Sequence, residues 1–215
     1  MLFRSSGSIA GQTASRNRNG QYMRTRAIPV NPNSSAQGVV RARLALNSSA
    51  WRALTGAQRA GWADLGLQML RTDSLGQQQT LTGQQAYCSV NNENLAAGNT
   101  VVSDAPALVT PGALASATIT LTAAAFSIAY TVTPLSAGSR LFTFVSPQRS
   151  AGRGFESDFR LLAVSAAAAA SPANVYAAYV AKFGVPIVGN RIFMQLQVYN
   201  SGFLSGPLNT SAVVA

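Results

Sequence analysis

Histidine is absent from the 215 residues, cysteine and lysine occur once each (Cys88, Lys182), and six acids stand against fifteen arginines. General acid–base catalysis, metal ligation and phosphate transfer draw on His, Cys and convergent carboxylates, so most enzyme chemistry lacks its parts. No catalytic, cofactor-binding or metal-ligating residue is expected, and no small-molecule substrate. A single cysteine cannot close an intramolecular disulfide. Cys88 falls in an apolar–polar helical pattern and reads as packed rather than reactive. Long apolar runs are also missing, since nothing approaches the ~20 residues of a membrane span and the first residues hold no signal-peptide core. Neither membrane insertion nor secretion by the usual route is expected.

What is present is arginine, unevenly placed. Residues 1–75 carry ten (positions 4, 16, 18, 24, 26, 41, 43, 52, 59 and 71) against Asp64 and Asp73, whereas residues 76–215 balance six basic groups with four acids. A guanidinium is a planar fork that pairs with carboxylates or phosphates at two points, so the first third suits an acidic or phosphate-bearing partner. Arginine used only as solvated surface charge would leave the same composition.

The pattern predicts an α+β chain in three parts. Residues 1–100 form a basic β-hairpin with a three-helix docking unit, 101–115 a linker, and 116–215 an antiparallel β-sandwich of immunoglobulin or fibronectin type III character. The hairpin spans 8–30: SIAGQTAS is one strand, Asn19-Gly20 supplies the turn, and Arg24 and Arg26 alternate with Met23, Thr25 and Ala27, charging one face. A helix over about 34–46 follows, capped by Asn33 or Ser34 with Gln37, burying Val39, Val40 and Leu44 and leaving Arg41 and Arg43 on its open side. T-G-A-Q at 55–58 and T-G-Q-Q at 82–85 repeat the capping-box spacing and open two more helices. Trp51, Leu54, Trp62, Leu65, Met69, Tyr87, Val90 and Leu95 recur at helical intervals as a small core, and Gly98 ends the third helix. Pro106, Pro111 and Gly112 mark the linker. Six β-rich runs follow, with a short helix near 174–186 before the fifth.

The stretch GSIAGQTASRNRNGQYMRTRAIPVNPNSSAQ, the segments WRALTGAQRAGW and LTGQQAY, and the later YVAKFGVPIVGNRIF resemble an uncharacterised phage- and prophage-associated protein family. The match covers most of the chain. It implies a virion context and supplies no catalytic residue; the chain is expected to be made in the host cytoplasm.

Composition and resemblance together lead to a non-enzymatic structural protein of a tailed-phage-like particle, placed at the capsid surface as a decoration or minor capsid protein. Its expected partners are capsid or tail subunits and further copies of itself, with Arg16, Arg18, Tyr22, Arg24, Arg26, Arg41 and Arg43 as contact residues. Alternatives are a neck or tail position, or a DNA-contacting role using the same arginines on phosphates. A helix-turn-helix is disfavoured because LQMLRTDSLGQQQT is long for the tight turn. A glycan-binding sandwich would need exposed aromatics, and Phe126, Tyr130, Phe142, Phe144 and Phe193 are spaced for a core. The one close carboxylate pair, Glu156 and Asp158, is flanked by Arg153 and Arg160 and reads as a surface ion-pair cluster.

Overall fold

A computed structural model describes residues 7–17, 20–72 and 75–215. The chain divides into two compact units, residues 1–40 and 41–215, each described by itself. It is an α+β protein with antiparallel sheets.

In the first unit, β1 (Gly7–Ile9), β2 (Gln12–Asn17) and β3 (Gly20–Thr25) form a three-stranded meander. The segment expected as a single strand folds back at Ala10-Gly11, a two-residue loop with Ile9 paired to Gln12. Ala10 holds φ 51°, a left-handed conformation that no glycine marks at that position in the sequence.

Helix α1 (Ser35–Ala53) is longer than expected and carries Trp51. Ser34 Oγ accepts from Gln37 N at 3.4 Å, so Ser34 rather than Asn33 caps it. Val39, Val40 and Leu44, expected in the core, are exposed, and the buried positions come later at Asn47 and Leu54. The apolar stripe is real, but only its C-terminal end meets a helical core.

Helix α2 (Gly56–Gln68) begins at a complete capping box of Thr55 and Gln58, and α3 (Gly83–Ala96) at one of Thr82 and Gln85. Between them the chain forms a hairpin, β4 (Leu70–Thr72) with β5 (Gln78–Thr80). The two helices approach closely because glycines line the contact. A Cβ on Gly66 would stand 2.5 Å from Leu81 O, and one on Gly83 2.9 Å from Ala63 N. Trp62 and Tyr87 meet edge-on at 5.0 Å in a cluster with Leu54, Leu65, Ala86 and Val90. Gly98, at φ 80°, ends α3, and Asn99 N bonds back to Asn94 O at 2.8 Å.

Residues 101–115 contain no helix or strand, yet they are held at both ends, Ala115 N bonding Thr131 O at 2.9 Å. The buried Asn91 side chain pairs with both Val102 N (2.8 Å) and Val102 O (3.1 Å), and Trp62 Nε1 donates to Ser103 O at 2.7 Å. The compact unit therefore runs through the expected linker.

Beyond it come β6 (Ser116–Leu121), β7 (Phe126–Thr131), β8 (Arg140–Val145), β9 (Arg149–Ser150), β10 (Arg160–Val164), β11 (Ala173–Asn174), α4 (Tyr176–Phe183), β12 (Asn190–Asn200), β13 (Phe203–Leu204) and β14 (Leu208–Val213). One sheet runs β11-β7-β6; the other runs β10-β8-β12 with β9, β13 and β14 also on β12. Their facing side chains share one cluster: Leu121, Phe126, Ile128 and Tyr130 from the first, Leu141, Val145, Ile192, Met194, Leu196 and Val198 from the second. The alternate residues of β8 and β12 point the other way. There Phe142 stacks on Tyr199 at 5.4 Å, and both are buried with Ala97 at the end of α3. The β12–β13 turn is the seam between helices and sheets. Phe203 enters the helical cluster, and Tyr199 Oη donates to Asn94 Oδ1 at 2.6 Å.

Candidate functional site

The first unit is built from cross-strand pairs, and the register decides which side chains share a face. Thr13 pairs with Arg24 and Ser15 with Tyr22; between them, Ala14 pairs with Met23, and Arg16 pairs with Gln21. Directly opposed residues lie on one face and successive residues alternate. One face therefore shows Tyr22 and Arg24 among the hydroxyls of Ser8, Thr13 and Ser15. Arg26 continues that face by alternation, its N–H bonding Gly11 O at 2.8 Å. The opposite face shows Arg16, Met23, Ala14 and Gln21. Arg24 and Arg26 share a face as their alternation suggests, but Arg16 does not join them, because it lies an odd number of register steps from Arg24. Arg18 lies outside the described residues.

The α1 arginines are divided in the same way. Positions two apart stand about 200° apart around a helix, so Arg41 and Arg43 cannot share its open side. Arg41 is exposed, while Arg43 is half-buried on the side that leads to Asn47 and Leu54. Arg43 also acts on Glu93, whose carboxyl is pushed up by burial, with Arg43 and Arg71 opposing that shift. Glu93, Arg71 and Ser89 line a cleft of about 360 Å³ with Leu70, Leu108 and Phe203, and Arg71 Nη2 donates to Ser89 Oγ at 3.2 Å. Arg59 closes the end of α1 by donating to Arg52 O at 2.8 Å. The arginines of residues 41–71 are thus partly engaged in structure.

No side chain described between residues 7 and 40 is buried. Met23 is 65% exposed, Val30 88% and Val39 51%; Tyr22, at 38%, is the least open of the large apolar side chains there.

In the second unit the close carboxylate pair proves to be a latch. Glu156 is buried, and its carboxylate accepts from Arg149 Nε, from Arg153 Nη2 at 3.5 Å, from Ser157 N at 2.9 Å and from Asp158 N at 3.1 Å. These donors, led by the Asp158 N–H, hold its carboxyl at about 2 against the opposing effect of burial. Asp158 pairs with Arg160 at 2.9 Å. Arg149, absent from the sequence-level cluster, arrives from β9, where pairing with β12 fixes it. Among the described residues no three His, Cys, Asp or Glu side chains gather as a metal site.

The core aromatics fall largely where their spacing suggests: Phe126, Tyr130, Phe142 and Phe193 are buried and Phe144 is half-buried. Sequence reasoning missed Phe155, which is 75% exposed, and an apolar loop after α4 bearing exposed Val185, Ile187 and Val188. Gln148 fastens that loop, donating to Val185 O and accepting from Ile187 N, both at 2.8 Å. Apolar β-branched residues in a short loop after a helix-ending glycine were the available signal.

Among the described residues no helix is long and apolar enough to cross a membrane. Comparison with protein-family models, with curated proteins and with solved structures finds no match to the chain.

Proposed function

We propose that this protein is a non-enzymatic structural component of a tailed-phage-like virion, docking through its Arg-rich N-terminal unit on a neighbouring subunit at the capsid surface. It serves there as a decoration or minor capsid protein; a neck or tail position is the same reading at another address. One observation carries it: the first unit presents Arg16, Tyr22, Met23, Arg24 and Arg26 on a small sheet in which no described side chain is buried. A sheet of this size is marginal without something to pack on. The resemblance of its motifs to phage-associated proteins supplies the setting. Its localisation is the virion, and further copies of the chain are expected beside it.

The C-terminal region is read as a sandwich of fibronectin type III or immunoglobulin character. In favour of that reading, a three-stranded and a larger antiparallel sheet share one apolar cluster. The absence of enzymatic chemistry rests on composition and on the engagement of Glu156 and Asp158 by arginines. The experiment is cryo-EM of purified particles, tracing the chain and its neighbours. Density on a capsid or tail protein supports the docking reading, and absence of the chain from particles would sink it.

A DNA-contacting role is favoured by one feature, the grouping of Tyr22 and Arg24 with Thr13 and Ser15 on a single face. Stacking groups, arginines and hydroxyls together suit a phosphate backbone. That reading requires duplex affinity falling steeply with salt as counterions are released, and a flat salt dependence would remove it.

A further inference from the structure

We propose that the N-terminal sheet is gripped on both faces, inside an acidic groove of a neighbouring protein, rather than laid flat on one surface. The inference rests on the docking reading above and adds the shape and charge of the partner. Its origin is the strand register. Tyr22, Arg24 and, by alternation, Arg26 stand on one face; Arg16 and Met23 stand on the other. Both faces thus offer a guanidinium beside a large, exposed side chain. A sheet that keeps one face in water normally makes that face polar, and neither face here is purely so. A flat surface would satisfy one set of contacts and leave the opposite arginine and its apolar neighbour in solvent.

The charge of the occupant follows from the sequence. Between residues 1 and 63 there is no acid, so the arginines of the sheet have no counter-charge within their own unit. A second copy of this chain offers only scattered acids, of which Asp64 is exposed and Asp73 lies outside the described residues. Glu156 and Asp158 are held by Arg149, Arg153 and Arg160, and Asp104 accepts from Gln58 Nε2 at 3.1 Å. Glu93 is half-buried and under the influence of Arg43 and Arg71. With a net charge of +10, a second copy of the chain does not provide an acidic groove. Duplex DNA fits the sheet less well than protein does. The major groove admits a two-stranded ribbon, whereas β1 adds a third strand, about 4.8 Å further across.

Tyr22 and Met23 are adjacent in sequence and opposite in direction, which makes them natural reporters. Hydroxyl-radical footprinting of the full chain, alone and in purified particles, reads oxidation at each. The groove requires both residues to lose reactivity on assembly, by at least about tenfold, and to remain protected in particles emptied of DNA. Protection of only one would overturn the groove while leaving flat docking intact. Protection of neither would overturn the docking reading together with the inference. Protection that disappears when DNA is removed would make nucleic acid the occupant and overturn the proposal. Arg16→Glu and Arg24→Glu provide a second readout: each is expected to reduce copy number per particle at least about tenfold. An effect from one alone contradicts a two-faced grip.

Discussion

Replacing Phe203 with Ala tests whether helices and C-terminal sheets unfold together. Phe203 follows the β12–β13 turn in sequence, yet its ring is 7% exposed and packs in the helical cluster with Trp62, Tyr87 and Val90. Truncation removes the burial energy of the ring and leaves a void among side chains that other packing holds in place. Together these cost about 3–5 kcal/mol. In a unit of this size the melting temperature should fall by roughly 6–20 °C. Other contacts also join the two parts: Asn94 and Asn99 on the Tyr199 hydroxyl, at 2.6 and 2.9 Å, Gly202 against Val90, and Ala97 packed with Phe142 and Tyr199. Calorimetry of the full chain should therefore show the main transition lowered and broadened or divided. Gly202→Ala attacks the same seam differently, since its Cβ would stand 2.3 Å from Val90 Cγ1 at a backbone φ of +89°. Adding Val90→Ala should recover part of that loss, because it removes the clash and leaves the backbone strain. A loss below about 1 kcal/mol for Phe203→Ala, with an unchanged transition, would refute the reasoning, since buried ring truncations cost several times more.

Three further outcomes can be measured on the same protein. Glu156 is held at about 2 against an ordinary 4.5, so its contribution is complete above 4.5 and is lost as pH falls from there through about 2. Glu156→Gln should melt lower at pH 7 and show a flatter decline between pH 5 and 2; parallel curves would deny the latch. Glu93 has the opposite sign: burial raises its carboxyl, so its charged form costs stability at neutral pH, and the cost is relieved on acidification. Glu93→Gln should raise the melting temperature at pH 7 with an advantage that vanishes below about 4.5, and a loss at pH 7 would contradict this. Gly66→Ala should cost about 1–3 kcal/mol in urea titrations, because its Cβ would meet the Leu81 carbonyl at 2.5 Å; a neutral effect would mean the α2–α3 contact is looser.

The features legible in the sequence were local ones. Thr55 with Gln58, and Thr82 with Gln85, announced two helix starts because a capping box is satisfied within four residues. The β-rich runs matched strands because alternation reports a face directly, as in β7, where Phe126, Ile128 and Tyr130 are buried. The turn at Ala10 escaped because the left-handed residue is an alanine. Arg149 escaped because its approach to Glu156 depends on β9 pairing with β12, about forty residues away in sequence. Val40 and Leu44 were correctly grouped on one helical stripe and wrongly buried, because periodicity says which residues point together and not whether anything covers them.

By itself the sequence determined the charge asymmetry, the scarcity of catalytic parts, the helix starts and the strand-rich second half. Each depends on residue type or on neighbours a few positions apart. Only tertiary structure decided that Phe203 and Tyr199 join the sheets to the helices, that Asn91 fastens residue 102, and that Glu156 is enclosed by arginines. It also decided that the N-terminal arginines divide between two faces, because a pairing register is a relation between strands, and one residue of slip would reverse every side chain.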